Sequence, residues 1–145
     1  MPLTIVVADD DAGNRDFIRL VLAPMSATLA IVGEAGDGAE ALEVVLRERP
    51  DLVITDLVMP RLNGIELTRR IRQALPDTKI ILMSSHTEDA YRLMASDSGA
   101  DAFINKQVIF TSLVSAIRDV TGRGLSGDSG PFLQGPGPAG ASNAG

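Results

Sequence analysis

"VITDLVMPRLNG", residues 53–64, begins as a β-branched run and ends in a turn, with an aspartate, Asp56, at the join. Val53, Ile54 and Thr55 read as the close of a buried strand. A buried strand gains nothing by ending in a charge, so Asp56 either caps the next turn or was placed there for chemistry. Pro60 and Gly64 break the chain before the next periodic segment begins.

Working outward, the same kind of run recurs as "TIVVAD" (4–9), "LAIVGE" (29–34), "KIILMS" (79–84) and "DAFIN" (101–105), which with "DLVITD" (51–56) makes five strand candidates. Between them lie stripes of helical spacing: Phe17, Leu20 and Val21; Leu42, Val45 and Leu46; Leu67 and Ile71; and Ile109, Leu113 and Ile117. A further helix, from about Glu88 to Ser96, carries only a weak stripe. Pro24, Gly36, Pro50, Pro60, Pro76 and Gly99 punctuate the joints. Alternation of this kind predicts an α/β fold: a five-stranded parallel sheet, doubly wound as (βα)5 with right-handed crossovers. Residues 1–123 form that one domain. From Gly124 to Gly145 the pattern dissolves into a Gly/Pro/Ser-rich segment holding 7 of the 14 glycines, which predicts a flexible tail.

Composition excludes several kinds of chemistry. The 145 residues are 45% hydrophobic and 22% charged, the balance of a soluble domain, and no apolar run is long enough to span a bilayer. The N-terminus lacks a basic leader followed by a long apolar stretch, which predicts a cytoplasmic protein. Without cysteine there is no disulfide or thiolate, and a single histidine cannot build a multi-histidine site, so any metal must be held by oxygen. A net charge of −6 argues against direct binding to nucleic acid or to an anionic membrane.

In an open parallel sheet, ligands bind beyond the carboxyl ends of the strands where strand order reverses. The first strand ends in Asp9, Asp10 and Asp11, the second in Glu34 and Gly36, the third in Asp56, the fourth in Ser84 and Ser85, and Lys106 follows the fifth. In the flavodoxin-like order 2-1-3-4-5, Asp9, Asp10 and Asp56 converge. Carboxylates so crowded raise one another's pKa unless a cation neutralises them, and an all-oxygen set suits Mg²⁺, with Mn²⁺ a substitute. Such an ion serves phosphate chemistry; Lys106 would offer a point charge to a phosphoryl oxygen, a strand-four hydroxyl a hydrogen bond, and Asp56 a nucleophile. Taken singly, each residue has a plainer role. Asp11 reads as the cap of the first helix, Ser84 or Ser85 as a cap, Lys106 as a solvated charge and His86 as a helix-start residue. Acid, acid, hydroxyl and amine at four separate strand ends go beyond what capping accounts for.

These segments, "IVVADDD", "VITDLVMPRLNGIEL", "IILMSS" and "GADAFINK", resemble in order and spacing the receiver domain of two-component response regulators, of the chemotaxis-regulator kind, over roughly Leu3 to Thr121. The resemblance implies that Asp56 accepts a phosphoryl group from a sensor histidine kinase or a phosphotransfer protein. It implies Mg²⁺ held by Asp10, Asp56 and the backbone carbonyl of Val58, with Asp9 acting through a water. It further implies Ser84, with Ser85 beside it, and Lys106 as phosphate-binding groups, and Phe103 as the aromatic that relays the change to the surface of the fourth helix, fifth strand and fifth helix. Such a domain is a phosphoacceptor rather than a separate enzyme. It acts on an effector or DNA-binding output domain outside this chain, or through a phosphorylation-dependent homodimer. Gln107 stands where the family often has a cis proline, a departure shared with receivers that carry LuxR-type outputs.

Three other classes fit less well. A haloacid-dehalogenase-type phosphatase would match Asp9 and Asp11, but Gly13 stands where Thr or Val is expected and no cap segment is present. A flavodoxin-type FMN carrier needs a phosphate-cradling loop where "DDDAGN" presents anions. A phosphorylation-independent pseudo-receiver would lack an acid or the lysine, and this chain keeps them all.

Overall fold

The computed structural model describes residues 2–122 apart from Thr87; the predicted tail, 124–145, lies outside the described residues. The elements alternate throughout: β1 (Leu3–Ala8), α1 (Ala12–Leu22), β2 (Leu29–Ala35), α2 (Gly38–Glu48), β3 (Leu52–Asp56), α3 (Gly64–Ala74), β4 (Lys79–Ser84), α4 (Asp89–Ser98), β5 (Ala102–Asn105) and α5 (Ile109–Thr121). The strands form one parallel sheet in the order β2-β1-β3-β4-β5, as the alternation predicts.

Strand periodicity of two divides the core between the sheet's faces. Leu3, Ile5 and Val7 of β1, Leu52 and Ile54 of β3, and Ile81 and Met83 of β4 pack with α1 and α5. Val6 and Ala8, Val53 and Ile80 point the other way, against α2 and α3. Leu82 joins a smaller cluster with Leu57, Ile65 and Ala95 under α4. Both faces are covered, so the central strands carry almost unbroken apolar sequence.

The helices α3 and α5 bury the expected stripes, Leu67 and Ile71 on one and Ile109, Leu113 and Ile117 on the other, but α1 and α2 do not. Ile18, Val21 and Leu22 face the core, while Phe17 is 41% and Leu20 71% exposed. Val21 belongs to either stripe; the phase that buries Ile18 and Leu22 also sets Arg15 and Arg19, one turn apart, against Glu34 on β2. On α2, Leu46 is exposed and Ala41, Val44 and Val45 carry the buried stripe. The weak α4 stripe is weak in fact, with only Ala95 and Ser98 of its ten residues buried.

Candidate functional site

Register brings the first two acids together. Ala8 pairs with Thr55 across β1 and β3, so the next residue on each strand, Asp9 and Asp56, leaves the sheet beside the other. Asp9 is fully buried and Asp56 is 7% exposed, while Asp10 is exposed at the rim. One oxygen from each of the three lies within 4.8 Å of the others. Asp11 does what a cap should, accepting the Gly13 N–H at 2.7 Å to open α1.

Lys106, one residue past β5, reaches back over the sheet. Its Nζ donates to Asp56 Oδ2 at 3.0 Å and stands 2.8 Å from Asp9 Oδ2. The Asp9 contact has ion-pair distance without hydrogen-bond alignment, leaving Oδ2 a buried oxygen with no hydrogen-bond donor. Asp9 Oδ1 accepts the Asp11 N–H at 2.9 Å, and Arg15 Nη1 donates to the Asp9 carbonyl oxygen. Burial pushes the Asp56 carboxyl above its usual range; Lys106 opposes the rise and Asp9 adds to it. Burial pulls Lys106 down, but its close contacts with the Asp9 and Asp56 carboxylates outweigh it and raise its pKa.

Lys106 therefore compensates part of the crowding. One ammonium among three clustered carboxylates leaves negative charge over, and Asp9 Oδ2 accepts no hydrogen bond among the described residues. An all-oxygen donor set with surplus charge fits a hard divalent ion such as Mg²⁺.

The loop after Asp56 explains the spacing of "DLVMPRLNG". Met59 is buried under α2 and α3, and the Pro60 carbonyl accepts the Gly38 N–H at 3.2 Å. Gly64 opens α3 so near to β3 that a Cβ would lie 2.3 Å from the Asp56 carbonyl oxygen. At Gly38 a Cβ would meet the Leu62 carbonyl oxygen at 1.7 Å, so the loop is clamped between two helix starts. Arg61 adopts a left-handed φ of 69° there and pairs with Asp37, the cap of α2, at 3.2 Å. The exposed Val58 brings its N–H to 3.4 Å from Asp56 Oδ1.

Of the strand-four hydroxyls, Ser84 is buried and accepts the His86 N–H at 2.8 Å; Ser85 is exposed and makes no hydrogen bond among the described residues. His86 is not at a helix start: it lies in the loop before α4, stacked on Tyr91 at 5.3 Å. Glu34 stays apart from the acids, held by Arg15 and Arg19. Phe103 is half-buried on β5, against the cluster of Leu57, Ile65, Leu82 and Ala95. The described residues contain no cis peptide, and Lys106–Val108 form a 3₁₀ turn into α5. Arg15, whose guanidinium fixes the Asp9 backbone, was not legible as a site residue. Its partner Glu34 is distant in sequence, and only the i, i+4 pair of arginines hinted at a shared anion.

Comparison with known proteins places this geometry. A family model described as "Response regulator receiver domain" matches residues 5–118. The chain is 34% identical over 131 residues to response regulator MprA of Mycobacterium sp. (strain KMS), covering 90% of this chain and 55% of that protein. It is 31% identical over 118 residues to transcriptional regulatory protein DegU of Brevibacillus brevis, covering 81% and 50%. The chain thus spans about half the length of the curated relatives it matches. Among solved structures, a two-component response regulator of the LuxR family from Aurantimonas sp. SI85-9A1 superposes with a TM-score of 0.77 at 33% identity, covering 85% of this chain and 88% of that one.

Proposed function

The chain belongs to the response regulator receiver domain family, and from that premise we propose that Asp56 is the phosphoacceptor, charged by a sensor histidine kinase or a phosphotransfer protein. The observation that carries this reading is the position of Asp56 beside Asp9, within reach of Asp10 and under Lys106 Nζ at 3.0 Å. An Asp56 carboxylate oxygen attacks phosphorus of the donor phosphohistidine; the P–N bond breaks, and its electron pair returns to the imidazole. The product is an acyl phosphate, which water hydrolyses at the same site.

Asp10, Asp56 and the Val58 carbonyl would hold Mg²⁺, with Asp9 reaching it through a water. When bound, the ion neutralises the charge that gathers on the transferring oxygens. Lys106 exchanges its carboxylate contacts for a phosphoryl oxygen, and the Ser84 hydroxyl turns from its loop contact to donate to another. Space vacated by Ser84 admits Phe103, so that the face of α4, β5 and α5 changes shape for an effector, for an output domain such as a DNA-binding one, or for a second copy of the chain. The domain is a signalling acceptor whose own site promotes transfer and hydrolysis, acting in the cytoplasm. No helix among the described residues is long and apolar enough to cross a membrane.

The test is labelling with acetyl phosphate and Mg²⁺. Wild type is expected to incorporate one phosphoryl group, labile to acid, base and hydroxylamine as an acyl phosphate is, and Asp56→Ala none. Undiminished label in the variant would overturn the assignment.

A further inference from the structure

Two consecutive residues on the first turn of α4 touch the two ends of the proposed relay. Tyr91 stacks on His86 with ring centroids 5.3 Å apart, and the His86 N–H is bonded to Ser84 Oγ at 2.8 Å. Arg92 places its guanidinium carbon 5.5 Å from the centre of the Phe103 ring. Among the described residues the Arg92 side chain has no ion pair or side-chain hydrogen bond, and the Phe103 ring is the partner its guanidinium faces. Phenylalanine has no hydroxyl to hydrogen-bond, and Phe103 packs on the apolar cluster of Leu57, Ile65, Leu82 and Ala95.

We propose that Arg92 is a positioning residue that holds Phe103 in its resting place, and so sets how readily the phosphorylated conformation is reached. The proposal rests on the phosphoacceptor reading above and adds to it the residue that weights the switch. A guanidinium over an aromatic face is attracted by the ring's quadrupole. Moving Phe103 toward the space beside Ser84 draws the ring out from under that charge. The resting conformation therefore gains a contact that the active one gives up, which is the differential interaction a two-state switch requires. The seating of α4 makes a single surface contact count. Only two residues of α4 are buried against five of α3, and Leu93 and Met94 face outward, so little packing fixes the helix. An exposed cation–π contact is worth about a two- to fivefold bias in such an equilibrium.

The experiment titrates the Mg²⁺-saturated full chain with beryllofluoride and follows the Phe103 ring by NMR in wild type, Arg92→Gln and Arg92→Lys. In Arg92→Gln the ring signals before titration are expected to shift toward their beryllofluoride-bound positions, and half-saturation to fall about two- to fivefold. Arg92→Lys keeps a cation and is expected to recover most of the wild-type response. Unchanged ring signals and midpoint in Arg92→Gln would overturn the proposal, as would an Arg92→Lys protein indistinguishable from Arg92→Gln. A wild type that ignores beryllofluoride would instead overturn the phosphoacceptor reading itself.

Discussion

Gly64 approaches Asp56 so closely that a side chain cannot stand between them: a Cβ would be 2.3 Å from the Asp56 carbonyl oxygen and 2.9 Å from Leu57 Cα. Both obstacles are backbone, which cannot yield by changing rotamer. Gly64→Ala is expected to displace the strand end that carries Asp56, at a cost of about 1–3 kcal/mol, as overpacking does. Urea denaturation reads the cost and acetyl phosphate labelling reads the displacement. Wild-type stability in the variant would show that the loop moves aside freely.

Lys106 is the single cation within 4 Å of the Asp9 and Asp56 carboxylate oxygens among the described residues. Lys106→Met leaves two largely buried carboxylates facing each other. Removing one partner of a buried ionic group costs about 3–5 kcal/mol, and Lys106 keeps 17% exposure, so the low end applies. The melting temperature without divalent ions should fall, and Mg²⁺ should restore more of it than it adds to wild type. A variant as stable as wild type in chelator would mean that the acids do not repel.

Mg²⁺ itself is expected to stabilise the wild-type domain, because an ion that binds only the folded state adds about 2.7 kcal/mol at a hundred times its Kd. Asp10→Asn removes one of the three clustered carboxylates from the exposed rim and should lessen that gain. Calorimetry with and without Mg²⁺ measures both, and a melting point indifferent to Mg²⁺ in wild type would exclude a metal site among these acids.

Asp37 carries a pH dependence of its own. The Glu40 backbone N–H, with help from Arg61, holds the Asp37 carboxyl below the usual carboxylate range. A carboxyl whose folded pKa is lowered stabilises the fold above the unfolded pKa, and that contribution is lost as pH falls through the folded one. Asp37→Asn can still cap α2 but cannot titrate. The stability gap between wild type and variant should therefore be constant near neutrality and close below the usual carboxylate range. A gap that persists in acid would assign it to geometry rather than charge.

Strand number, strand order and the meeting of Asp9, Asp56 and Lys106 were legible because each depends on chain-order patterns. Alternating elements force a parallel sheet, and parallel strands deliver their last residues to one edge. What escaped depends on phase and depth. Phe17 and Ile18 are both apolar, and two overlapping stripes share Val21; the one through Ile18 and Leu22 faces inward, with Arg15 and Arg19 on Glu34. Asp9 and Asp10 are identical letters, yet the strand's pleat buries one and exposes the other. Ser84 and Ser85 differ in the same way. Arg92 looked like any solvated helix charge, since its partner Phe103 reaches it only through the packing of α4 on β5.

The stacking of Tyr91 on His86 gives the molecule an optical property. The chain has no tryptophan and one tyrosine, so all of its tyrosine emission comes from a single ring. That ring leans on a residue whose N–H is bonded to Ser84. On the function proposed above, an occupant that draws the Ser84 hydroxyl inward would release the His86 backbone and is expected to change the Tyr91 emission. The unlabelled protein thereby carries its own fluorophore one residue contact from Ser84, suited to stopped-flow measurement of how fast the site fills and empties.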